Sequence, residues 1–228
     1  LDWALRMQRF DPDACFDRLA AQQRLQPAHA VALGVHLGRF HRALPPSPTG
    51  LGLPDRTLAW ARANFDTLCG HAATRPWSSN LDALRRWTET RFDALQPLMT
   101  RRLADGWVRE GHGDLHLGNL LWQDGDALAF DAIEFDPALR HGDVIGDVAF
   151  TWMDLHRHGL PGLAAVCLNA YLETLGDWGG LPLLRWYAVY RALVRAKVAL
   201  LRAVQTQTLG QDPQRDLLAL ARDIALAE

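Results

Sequence analysis

The stretch Gly111-His112-Gly113-Asp114-Leu115-His116-Leu117-Gly118-Asn119 decides how this chain is read. It sets glycines, histidines, an acid and an amide into a short span between apolar runs. Leu120-Leu121-Trp122 follows it, and beyond a turn comes Leu128-Ala129-Phe130-Asp131. An apolar run that breaks into polar groups and glycine, then resumes, predicts strand, loop, strand. Such a loop holds its side chains at the edge of a packed core, where rigid support and solvent access meet.

Working outward, strands are predicted at 107–110, 120–122 and 128–130. The last two are separated by Gln123-Asp124-Gly125-Asp126, whose Asp-Gly pair signals a hairpin. Helical periodicity predicts helices at 14–19, 27–44, 58–69, 81–103, 148–156, 163–175, 183–206 and 216–227. In 27–44, Val31, Leu33, Val35, Leu37, Phe40 and Leu44 supply the apolar face. Trp60, Phe65, Trp87, Phe92, Leu95 and Leu98 are the expected buried members of the next two helices. The breaker-rich segment 45–52 is a loop, and 132–147 reads as an acidic, glycine-bearing connection. The expected class is α+β, helix-rich, with a few short strands around the central loop.

A chain of 228 residues suits one large domain or two small ones. Its 49% hydrophobic and 22% charged content is that of a globular protein with an ordinary core. A formal charge of -2 gives no basis for binding nucleic acid or an anionic membrane surface. No apolar run is long enough to span a bilayer and no signal-peptide pattern opens the chain, so a cytoplasmic location is expected. Cys15, Cys69 and Cys167 are odd in number and widely spaced. They read as reduced, buried thiols rather than a disulfide frame or a zinc site. Lys197 is the only lysine, so any role that needs one has a single candidate.

As chemistry, a carboxylate and a carboxamide on one loop can divide a reaction between them. Asp114 can orient a hydroxyl or take its proton. Asn119 can offer an amide oxygen to a hard cation, and Asp131, at the end of the hairpin, adds a second oxygen. That donor set suits Mg²⁺, which keeps several waters and completes its shell with substrate phosphates. Phosphoryl transfer relies on such positioning and charge neutralisation. A rival reading takes His112, Asp114 and His116 as the metal cluster of a metal-dependent hydrolase. It needs His112 exposed with a free ring nitrogen, because Zn²⁺ prefers several converging imidazoles. A third reading is a non-catalytic, pseudokinase-type binding module. His41, beside Phe40 on an apolar face, is expected in the core; Arg191, Arg195 and Lys197 are expected on a solvated helix face.

The run H-G-D-x-x-x-x-N from His112 to Asn119, followed by a hydrophobic strand ending at Asp131, has the spacing of a kinase catalytic loop and its metal-binding aspartate. As a whole, HGDLHLGN resembles the aminoglycoside phosphotransferase-like branch of the protein-kinase-like fold, which also includes choline and fructosamine kinases. FDAIEFD, GDVIGDVAFTWMDL and RALVRAKVALLRA are similar to a bacterial subgroup of that branch with no assigned substrate. The resemblance implies an ATP-dependent, Mg²⁺-requiring phosphotransferase acting on a small-molecule hydroxyl. Asp114 would be its catalytic base and Asn119 and Asp131 its metal ligands. His112 would be structural beneath the loop, and His116 would lie near phosphate or substrate. Asp147 would accept loop backbone N–H groups, while Glu134 or Asp136 would assist a second metal. The resemblance also implies that 1–10 is a hinge and 11–228 a kinase-like C-terminal lobe. The N-terminal ATP-clamping lobe, with its glycine-rich loop and strand lysine, is not among these residues and would be needed in cis for turnover.

Overall fold

The computed structural model describes residues 10–228. Its helices are α1 (Phe16–Ala21), α2 (Pro27–Ala43), α3 (Pro54–Cys69), α4 (Ser78–Ala104), α5 (Val144–Arg157), α6 (Pro161–Leu175), α7 (Leu181–Thr208) and α8 (Gln214–Ala227). Between α4 and α5 lie β1 (Val108–Glu110), β2 (Leu120–Gln123), β3 (Asp126–Ala129) and β4 (His141–Asp143). The architecture is helix-rich α+β, as the sequence predicts. Of the predicted hinge 1–10, only Phe10 lies among the described residues; its ring lies 5.0 Å from that of Phe130, tilted by 55°. None of the helices is long and apolar enough to cross a membrane.

Several helices begin earlier than periodicity indicates. α3 and α6 start at Pro54 and Pro161, and Pro182 sits in the first turn of α7. The first turn wastes its N–H groups in any case, so proline costs nothing there and its fixed φ is already helical. α5 begins four residues before the predicted 148, because Asp143 caps it by accepting from the Ile145 N–H at 3.1 Å. The face assigned to α2 also needs correction: Val31 is 45% exposed. The buried stripe runs through Ala30, Leu33, Gly34, Leu37, Gly38 and His41 instead. Gly34 and Gly38 let α6 approach so closely that a side chain at either would strike Cys167 or Thr174. Cys69 is exposed, whereas Cys15 and Cys167 are buried.

The strands form two antiparallel pairs. β2 and β3 make the predicted hairpin, with Leu121 opposite Leu128. Asp124 and Gly125 at its tip have φ of 53° and 85°, the left-handed pair a tight hairpin requires. β1 pairs with β4, Arg109 opposite Gly142, and β4 lies inside the segment read as a connection. His-Gly-Asp has no strand signature, and the pairing depends on β1 for its partner.

Two apolar clusters meet at α5. Leu33, Leu37, Tyr171 and Trp186 belong to one and Phe65, Leu193, Leu220 and Ile224 to the other. α5 gives Ile145, Val148 and Leu155 to the first and Phe150 and Met153 to the second, so it is buried nearly all round. Leu115, Leu117 and Leu120 enter the first cluster with no exposed surface. At about 2 kcal/mol for each buried leucine, these side chains anchor the 111–119 loop, while Asp114 before them keeps 37% of its side chain exposed.

Candidate active site

The loop rests on polar side chains from one stripe of α5. Asp147, Thr151 and Asp154 are spaced i, i+4, i+7 and therefore face the same way. Asp147 accepts from the N–H groups of His112 at 2.7 Å and Gly113 at 3.0 Å. The Thr151 hydroxyl donates to the Leu115 carbonyl at 2.7 Å, and Asp154 accepts from the Leu117 N–H at 2.9 Å. A loop that is neither helix nor strand thus has its buried backbone groups satisfied by a rigid helix.

Asp147 is itself held from two further sides. His41 Nε2 lies 3.5 Å from one carboxylate oxygen and Arg191 Nη2 3.7 Å from the other. Burial alone would raise this carboxyl. Hydrogen bonding and charge from His41, the charge of Arg191 and the His112 N–H outweigh burial and bring it to about 2. Gly111 runs so close to this carboxylate that a methyl group there would collide with it. Arg191 is not on a solvated face: it donates to the Gly113 carbonyl at 2.8 Å and the Gly146 carbonyl at 3.2 Å. Sequence reading missed its place; the available signal was an arginine beside Tyr190 on the buried side of α7. The start of α5 is fixed by Arg102, which forks onto Asp143 at 2.7 and 2.8 Å and Asp177 at 2.6 and 2.7 Å.

His112 is buried, and both ring nitrogens are engaged. Nε2 lies 2.8 Å from the Phe130 carbonyl, and Nδ1 lies 3.4 Å from the Asp114 N–H. This fixes the Nε2–H tautomer and leaves no lone pair for a metal. Nor do three His, Cys, Asp or Glu side chains converge as a metal cluster anywhere among the described residues. The hydrolase reading required the opposite. In His116, Nδ1 accepts from the Gly118 N–H at 3.0 Å, so the proton belongs on Nε2, 3.6 Å from an Asp114 oxygen. Burial, with the charge of Arg195, lowers the His116 pKa and keeps the ring neutral at pH 7.

Asp114 has 37% of its side chain exposed. The Asn119 amide donates to its carbonyl at 2.9 Å and to its carboxylate at 3.2 Å. With the NH₂ end committed, the Asn119 amide oxygen is the end left for a cation. The Phe130 N–H donates to the Asn119 carbonyl at 3.1 Å, so Asp131, the next residue, sits at the same end of the hairpin. Asp131 is exposed, with a left-handed φ of 61° that turns the chain out of the strand. One carboxamide oxygen and one carboxylate at a common edge fit a Mg²⁺ ion that retains water ligands. Glu134 is exposed on the following loop. Asp136 instead caps the short turn Pro137–Leu139, accepting from the Ala138 N–H at 3.0 Å.

In front of Asp114 lies a cavity of about 360 Å³ between α3, α7 and the 133–139 loop. Trp60, Ile133, Tyr190 and Val194 form apolar walls; Asn64 and Lys197 add polar groups. Asn64 carried no signal in the sequence, since a single amide within an amphipathic helix looks like any other polar position.

The Phosphotransferase enzyme family (APH) model matches residues 2–187. Uncharacterised proteins of Mycobacterium tuberculosis and Mycobacterium bovis are each 33% identical over 150 residues, covering 59% of this chain and 30% of the relative. A solved glucosamine kinase (crystal form B) superposes with a TM-score of 0.55 at 16% identity, over 95% of this chain and 55% of the kinase. The chain thus spans about a third of the curated relatives' length and about half of that kinase.

Proposed function

The chain belongs to the phosphotransferase enzyme family, and from that premise we propose that 11–228 forms the large lobe of an ATP- and Mg²⁺-dependent kinase acting on a small-molecule alcohol, with Asp114 as catalytic base. One observation carries the reading. Asp114 stands exposed at a cavity mouth, its carboxylate steadied by Asn119, on a loop whose rear is bound to α5.

In this mechanism an acceptor hydroxyl donates its hydrogen bond to Asp114, which directs an oxygen lone pair toward the transferring phosphoryl group. As the oxygen–phosphorus bond forms, the hydroxyl proton passes to the carboxylate. His116, neutral, has its Nε2 3.6 Å from an Asp114 oxygen and lies beside the reacting hydroxyl. The buried leucines on either side prevent the loop from drifting, which matters because a small misplacement costs rate steeply. Asn119 and Asp131 would hold Mg²⁺, which neutralises charge on the phosphates.

The test is alcohol-stimulated release of ADP from ATP by the full-length protein, compared with Asp114→Asn. Loss of the stimulated rate with folding retained supports the assignment. Unchanged turnover in the variant removes Asp114 as base.

A further inference from the structure

We infer that the cavity before Asp114 accepts an alcohol bearing an anionic head group, a hydroxy acid in class, rather than a polyamine. The inference rests on the kinase reading, which commits Asp114 to the hydroxyl; the pull toward an anion comes from Lys197 and Asn64 in the cavity wall.

Among the described residues, Asp114 is the only carboxylate in the lining. If it receives the hydroxyl, no acid remains to meet a substrate ammonium group, and recognition of a polycation depends on such complementary charge. The remaining charges are cationic. Arg191 is committed to the carbonyls of Gly113 and Gly146. Lys197 enters no ion pair among the described residues and is half-buried. Burial pulls its pKa down, and no neighbouring acid counters it. A partly desolvated ammonium without a counter-ion gains from an anion more than an exposed one does.

Asn64 gives an independent pointer. The residue is 2% exposed, lines the same cavity, and its side-chain NH₂ is a buried donor without a partner. An unmet buried donor is destabilising, and a ligand oxygen would relieve it. One ammonium and one amide N–H therefore ask for an acceptor-rich head group. Trp60, Ile133, Tyr190 and Val194 ask for an apolar body between that head and the hydroxyl.

The experiment uses three six-carbon alcohols that differ only at the far end: 6-hydroxyhexanoate, 1,6-hexanediol and 6-amino-1-hexanol. Their binding to the full-length protein is measured by calorimetry, and phosphate transfer from ATP is followed alongside. Affinity is expected to fall in that order, by about tenfold or more from first to last. Lys197→Met should bring the carboxylate and diol within about twofold of each other, and Lys197→Arg should restore the gap. Asn64→Leu should weaken the carboxylate by roughly fivefold or more. Tightest binding of the amino alcohol, an order unchanged in Lys197→Met, or no binding of any member at millimolar concentration overturns the inference. Binding in the expected order without phosphate transfer upholds it and removes the kinase reading. Preferred transfer to the amino alcohol does the reverse.

Discussion

The two sides of the 111–119 loop are built on opposite principles. At the rear, the N–H groups of His112 and Gly113 end on a buried Asp147 that also meets His41 and Arg191. At the front, Asp114 and Asp131 face solvent, and the contact joining Asp114 to Asn119 is local to the loop. Buried charge of this kind is strongly destabilising to break, because the surviving partner is left uncompensated. Exposed carboxylates contribute little to stability. The rear therefore sets position and the front is free to do chemistry, so substitutions on the two sides should fail in different assays.

The largest effect is expected at the front. Asp114→Asn should lower kcat by about 10²–10⁴-fold, as loss of a general base does. Its melting temperature should stay within about 2 °C of the parent, read by thermal denaturation beside the kinetics. At the rear, Asp147→Ala should cost about 3–5 kcal/mol in denaturant unfolding, and any fall in rate should accompany that loss because the loop it positions loosens. Parental stability in Asp147→Ala would erase the division.

Acid titration sharpens the same contrast. The Asp147 pKa is about 2 when folded, against about 3.9 when unfolded. The stability it supplies is thus present above about pH 4 and is lost as pH falls through 2, in total about 2–3 kcal/mol. Acid unfolding of the parent should steepen across that interval, and Asp147→Asn should flatten it. A smaller loss, about 1–2 kcal/mol, is expected for Arg191→Met, which removes the donors to the Gly113 and Gly146 carbonyls.

The front was more legible in sequence than the rear, for a physical reason. His112, Asp114, Asn119 and Asp131 sit close together in the chain, so their spacing survives in one dimension. The Asp-Gly hairpin is likewise a local device. The rear is assembled from residues far apart: His41 on α2, Asp147 on α5 and Arg191 on α7. β4 had no local pattern because its pairing is made by β1. The stripe Asp147, Thr151 and Asp154 was readable as an i, i+4, i+7 set, yet α5 is apolar on its other sides and only Asp147 stood out. Asn64 and Arg191 acquire meaning only once the cavity exists.

The central claim is that Asn119 and Asp131, at one end of a hairpin, grip a common divalent ion beside Asp114. Electron paramagnetic resonance of Mn²⁺, titrated into the full-length protein with ADP, tests it directly. A bound Mn²⁺ signal that weakens by about tenfold or more in Asp131→Asn and in Asn119→Leu is the predicted result. Undiminished Mn²⁺ binding in both variants would contradict it.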